Sequence, residues 1–233
     1  MNAVFTYRAP LELAYTRKAR LIVEMRDPVT LAPVWDGLKV RVTGLTADPI
    51  VSSSGRFVWF EEKGATPLEL SIDPGRLPYL PMTVAVPPLP PPPPAPGKPQ
   101  TWTDLRLELA PNTAYPFAGG ITARRGSIVR VKAEEPPRYL PGVDVRLQWI
   151  DDNAPGVVWR NSPNVARTSA RGDFVAMVRL APNQIARADA QQRIRVRVAA
   201  TFEGITKISP ERPIPFGLVS DEAGSFAWDT FLL

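Results

Sequence analysis

Two acidic doublets, Glu61-Glu62 and Glu134-Glu135, are the residues here whose type best suits catalysis, since glycoside hydrolysis uses a pair of carboxylates. Neighbouring residues on a strand point to opposite faces, so neither doublet forms such a pair by itself. A further acidic group, Asp151-Asp152-Asn153 with Asp144 one strand-length before it, offers the oxygen ligands that calcium takes. No loop of calcium-binding spacing surrounds it, and the same residues suit a turn held by side-chain-to-backbone hydrogen bonds. Arg193, Arg195 and Arg197 alternate, which on a strand places three guanidinium groups on one face about 6.8 Å apart. Arg130, Lys132 and Arg146 could extend such a basic face. It reads either as a contact for an acidic protein surface or as charge that protects a sheet edge.

The chain of 233 residues has neither cysteine nor histidine. That excludes disulfides, thiolate nucleophiles, cysteine-held metal centres and any Ser-His-Asp or Cys-His arrangement. It also removes the commonest general base and the commonest transition-metal ligand. No catalytic residue, cofactor site or metal site is therefore assigned. The net charge of +5 permits an anionic partner. No aromatic stacking platform sits among the basic positions, so nucleic acid is not the expected one.

Two motifs have simpler accounts than their best-known roles. Arg171-Gly172-Asp173 spells an integrin-recognition tripeptide, but it directly precedes Phe174 where a hairpin needs a glycine. Trp35, Trp59, Trp102, Trp149, Trp159 and Trp228 could line a sugar-binding surface, yet Trp59 and Trp149 fall on inward positions of strands.

The elements that would carry these residues are strands. With 28 prolines, long helices are disfavoured, because proline lacks the amide and clashes with the preceding turn. Period-two alternation marks Leu21-Val23-Met25 with Arg20, Glu24 and Arg26 outward, and Leu38-Val40-Val42 with Lys39 and Arg41 outward. Phe57 and Trp59, Leu68 to Ile72 and Met82 to Val86 follow. Past the proline tract come Leu105-Leu107-Leu109 as a linking strand, then Val129-Val131, Val143 to Trp149, Val157 to Trp159, Phe174 to Leu180 and Ile194 to Val198. Residues 181–192 hold the one expected helical turn.

The two sides of the tract share a pattern. Leu21 is set against Ile128, Gly37 against Gly142, and Gly55 against Gly172. The expectation is an all-β fold of two antiparallel β-sandwich domains joined by a polyproline linker. Residues 1–86 form the first sandwich, 87–100 the linker, 101–219 the second sandwich and 220–233 an apolar tail. The tract itself, Pro87-Pro88-Leu89-Pro90 to Pro99, suits a semi-rigid polyproline II spacer or a ligand for a groove of the SH3 or WW kind. The tail carries Phe226, Trp228, Phe231, Leu232 and Leu233. It either closes the second sandwich or docks on the sheet edge of a neighbouring subunit.

Gly37-Leu38-Lys39-Val40-Arg41-Val42 with Ser53-Ser54-Gly55-Arg56-Phe57, and Gly142-Val143-Asp144-Val145-Arg146-Leu147 with Ser169-Ala170-Arg171-Gly172-Asp173-Phe174, resemble the carboxypeptidase regulatory-like, or transthyretin-like, β-sandwich family. That resemblance implies add-on structural modules with no catalytic residues to transfer. A narrower resemblance covers Leu105-Arg106-Leu107-Glu108-Leu109 through Tyr115-Pro116-Phe117 to Arg124-Arg125-Gly126. This segment is similar to one in bacterial proteins encoded beside phage-tail-like contractile injection systems, departing from it at Ala118-Gly119-Gly120.

The expected function is a non-catalytic structural or adaptor subunit of a larger bacterial assembly, possible as an oligomer. Its partners would be other protein subunits, met through sheet edges, Arg193, Arg195 and Arg197, and the tail. The alternative is an independent carbohydrate- or peptide-binding module. Met1 to Arg8 shows no secretory signal, and no apolar run approaches the ~18 residues of a membrane span. A cytoplasmic protein is expected, unless it leaves within a released particle.

Overall fold

The fold is known from a computed structural model, which describes residues 19–60, 68–89, 102–131 and 135–232, without the side chains of 222–224. Glu61, Glu62, Lys132, Glu134, Leu233 and most of the proline tract lie outside the described residues.

The described chain is all-β, with a single 3-10 turn at Trp228–Thr230. Its first half forms β1 (Leu21–Arg26), β2 (Lys39–Thr43), β3 (Ile50–Val51), β4 (Phe57–Trp59), β5 (Leu68–Asp73), β6 (Met82–Val86) and β7 (Thr103–Glu108). The second half forms β8 (Ala123–Arg130), β9 (Arg138–Tyr139), β10 (Asp144–Ile150), β11 (Trp159–Asn161), β12 (Ala166–Arg167) and β13 (Asp173–Met177). It continues with β14 (Arg193–Phe202), β15 (Ile205–Ile208), β16 (Arg212–Pro215) and β17 (Val219–Ala227). No helix forms over 181–192: Pro182 and the Asp189 carboxylate, which accepts the amides of Gln191 and Arg193, hold turns there instead.

In the first half, the sheet β3-β4-β1-β7 and the sheet β2-β5-β6 share one core. Leu21, Val23, Met25, Phe57 and Trp59 come from one sheet, and Val40, Val42, Leu70, Ile72 and Val86 from the other. These are the alternate residues of each strand, which is why the apolar period of two reports them. In the second half, β13, β8 and β17 form one sheet, and β10 and β14 with their neighbours the other. They too meet across a common core, built on Ile128, Val145, Leu147, Phe174, Val198 and Phe226. Facing sheets with such cores are consistent with a β-sandwich.

The pairing repeats between the halves. β4 runs antiparallel to β1 and β7 parallel to it; β13 runs antiparallel to β8 and β17 parallel to it. The hairpin turns share the bonds that close them. Gly55 and Gly172 donate to the carbonyls of Ser52 and Ser169, while Arg56 and Asp173 donate to the hydroxyls of the same serines. Both glycines take positive φ, +75° and +73°, which a side chain would resist. The Arg171-Gly172-Asp173 tripeptide is thus a hairpin turn.

Four expectations need correction. Strand β7 is not a linking strand at the head of the second half: its whole length pairs with β1, and Leu105, Leu107 and Leu109 pack on the first core. The proline tract therefore joins β6 to β7 inside the first half rather than one half to the other. Neither half is purely antiparallel, since each contains one parallel pair. Arg20 and Glu24, expected outward, are buried, with Glu24 held by Arg26 and Arg56. Finally, register sets Val23 opposite Phe57 and Gly126 opposite Phe174, so Leu21 corresponds to Arg124, not to Ile128.

Candidate functional site

The residues expected to meet partners are largely committed within the chain. Arg193, Arg195 and Arg197 do share a face of β14, but each is engaged. Arg193 pairs with Asp189 at 3.4 Å and Arg195 with Glu211 at 3.1 Å. Arg197 donates to Gln148, and its guanidinium lies 4.3 Å from the centre of the Trp159 ring. Arg146 stands exposed on β10 beside β14, whereas Arg130 belongs to the other sheet.

The tail is strand β17, paired in parallel with β8. Phe226, Trp228 and Phe231 are buried in the second core, so a docking role for these three is corrected to packing within the chain. Their rings meet edge-on or tilted, with Phe226 and Phe231 5.9 Å apart. Leu232 remains 69% exposed, and its backbone exchanges both hydrogen bonds with Ile208.

The acidic groups behave as turns and ion pairs. Asp151 accepts the amide of Asn153 and pairs with Arg160, while Asp152 pairs with Arg187. Asp144 pairs with Arg167. Among the described residues no group of three or more acidic side chains could hold a metal ion. Trp59, Trp149 and Trp228 are core residues. Trp35 and Trp102 are exposed at opposite ends of β1, and Trp159 lies in the other half, so the tryptophans form no shared platform among the described residues.

One polar centre escapes a reading of the sequence. Asp27, just past β1, is buried and accepts the phenols of Tyr79 at 2.8 Å and Tyr115 at 2.6 Å. It also accepts the amides of Val29 and Thr30 and the Thr30 hydroxyl. Burial pushes its pKa up, but the Thr30 amide, the two phenols and the Val29 amide together hold it below the usual aspartate value. Burial and the Asp27 carboxylate push both phenols up, so they stay protonated as donors. The Asp27-Pro28-Val29-Thr30 spacing suits such a turn; the tyrosines come from far along the chain. Tyr115 lies in the segment between β7 and β8, and its bond to Asp27 fastens that segment to the first core.

The halves are braced by two arginines. Arg125 of β8 donates to the carbonyl of Tyr115 at 3.1 Å, pairs with Asp221 at 3.0 Å and faces the Phe117 ring. Arg179 pairs with Glu108 at the end of β7 at 2.8 Å, while its amide donates to the hydroxyl of Ser162. Beside this second brace lies a cleft of about 420 Å³. Leu80 to Val84, Glu108 and Ala110 line it from the first half, and Asp144, Asn164, Val165 and Arg167 from the second.

Among the described residues no helix is long and apolar enough to cross a membrane. No family model, no curated protein and no solved structure matches this chain.

Proposed function

We propose that this protein is a non-catalytic structural or adaptor subunit of a larger bacterial assembly, with a contractile phage-tail-like particle as the leading candidate. On this reading the halves are two tandem sandwich domains, held in fixed relation by the Arg125 and Arg179 braces, and the protein acts from the cytoplasm or within a released particle. The observation that carries the reading is the repeated strand plan, in which each half closes its own core with a parallel strand and, among the described residues, leaves other sheet edges open. Such a body presents surfaces and spacing. Docking is assigned to the open edges, with the basic face of β14 as a secondary contact, because Phe226, Trp228 and Phe231 are spent on packing.

The alternative, an independent peptide-binding module, is favoured by the cleft between the halves; its carbohydrate form finds no aromatic platform among the described residues. Light scattering on the purified chain, alone and co-expressed with candidate tail-tube and sheath subunits, separates the two. Self-association or a stoichiometric complex is expected. A monodisperse monomer that joins none of these subunits would sink the adaptor reading.

A further inference from the structure

We propose that the cleft between the halves binds a short, extended, uncharged segment of another protein, which adds to the free edge of β6 as a further strand; this takes the docking role above as its premise and gives it a location. The cleft wall is made of consecutive residues, Leu80, Pro81, Met82, Thr83 and Val84. Neighbours on a strand send their side chains to opposite faces, so a wall of consecutive residues is the edge of the strand, with its backbone amides and carbonyls. Among the described residues β6 pairs with β5 alone, which leaves that edge open.

The chain itself already uses the start of this edge. The Leu80 amide donates to the Ala110 carbonyl at 2.8 Å, and the Asn112 amide to the Pro78 carbonyl at 3.0 Å, with Tyr79 opposite Pro111. Ala110 also lines the cleft, so the open stretch begins where the chain's own pairing ends. A guest strand would continue a ladder that the protein has begun, the mode by which peptides extend exposed sheet edges.

The walls define the guest's chemistry. Each charged side chain lining the cleft is neutralised from within: Glu108 by Arg179 at 2.8 Å, and Asp144 by Arg167 at 2.9 Å. A phosphorylated or strongly acidic ligand would find its cations already taken. Met82 and Val84 are half-buried on the β6 side, and Val165 is 38% exposed on the facing wall. Backbone hydrogen bonding with modest apolar contact suits an uncharged strand carrying small apolar or hydroxyl side chains.

The probe is a phage-displayed library of random peptides panned on the full-length chain, with enriched peptides synthesised and bound in solution. Amide hydrogen exchange is expected to slow within Met82 to Val84, the stretch of β6 that lines the cleft, and N-methylation of alternate peptide amides to weaken binding at least about tenfold. Val165→Glu, at an exposed site, is expected to weaken binding similarly while leaving the melting temperature unchanged. No enrichment, protection at another edge, or full-strength binding by the N-methylated peptide would each overturn the proposal. The premise fails separately: a monomer that binds peptide along β6 but joins no assembly keeps the cleft and loses the adaptor role. Assembly unaffected by Val165→Glu, with no peptide binding, does the reverse.

Discussion

The ring of Phe226 occupies the space that a side chain at Gly126 would fill: a Cβ there would lie 2.9 Å from it and 3.1 Å from Phe174. In the first half the corresponding position is Val23, and the residue corresponding to Phe226 is Leu107, opposite Met25 as Phe226 is opposite Ile128. One half fills the site with valine and leucine, the other with glycine and phenylalanine. The volume is shared differently across the same two strands, as close packing requires of a repeated plan.

Gly126→Val is accordingly expected to destabilise the protein by about 1–3 kcal/mol through overpacking. Adding Phe226→Leu should recover part of that loss, giving a favourable coupling in a double-mutant cycle measured by urea denaturation. Strict additivity would mean that the two residues do not share the space.

This exchange also marks where the sequence was legible. Alternation in Leu38-Val40-Val42 and Val143-Val145-Leu147 reports which residues face inward, because a strand's period is a local property. It does not report which strand is the neighbour. Leu105 and Leu107 follow a proline tract and read as the start of something new, yet their partner is β1, far back in the chain. The tail poses the same difficulty: Phe226 and Trp228 are plainly apolar, but nothing local says whose core they enter. Asp27 was invisible for a related reason, since its burial depends on Tyr79 and Tyr115. The cleft is less legible still, being made of backbone edge that no residue type announces.

Asp27 makes acid a selective stress. Its folded carboxyl titrates below the ordinary value of 3.8, so on acidification the unfolded chain takes up the proton first. The stabilisation is complete above that value and is lost as pH falls towards the folded pKa. Asp27→Ala, which leaves two buried phenols without their acceptor, is expected to cost about 3 kcal/mol at neutral pH. The variant should also show a flatter stability profile on the acid side, read from urea midpoints across pH; an unchanged slope there would count against the cluster.

The phenols set a limit on the alkaline side. Tyr79 and Tyr115 titrate above the ordinary 10.0, so above that value the unfolded chain loses protons first and stability declines as pH rises. Ultraviolet difference absorbance during alkaline titration should show two tyrosines ionising late, coincident with unfolding. Tyr79→Phe and Tyr115→Phe should each remove one of them.

Removing the segment beyond Ser220 takes Phe226, Trp228 and Phe231 out of the second core together with most of the parallel edge strand. The shortened chain is expected to lose cooperative unfolding of that core and to bind a hydrophobic dye. Single substitutions grade the effect: Trp228→Ala should cost about 3–5 kcal/mol, and Leu232→Ala less than about 0.5 kcal/mol, as an exposed side chain should. A folded, stable chain ending at Ser220 would contradict packing within the chain.

The arginine face of β14 should divide in the same way, by what each residue touches. Arg193 and Arg195 make half-exposed ion pairs with Asp189 and Glu211, contacts that solvent and salt weaken. Alanine at either is expected to change stability by less than about 0.5 kcal/mol. Arg197 is stacked on Trp159 and hydrogen-bonded to Gln148, so Arg197→Ala should cost about 1 kcal/mol and shift the Trp159 emission. Arg193→Gln with Arg195→Gln then becomes a clean probe of function: it removes two charges from the face while leaving Arg197 and the fold in place, without setting like charges against Asp189 and Glu211. If the face meets an acidic partner, that double variant abolishes capture without lowering the melting temperature. Capture that survives it would restrict docking to the sheet edges.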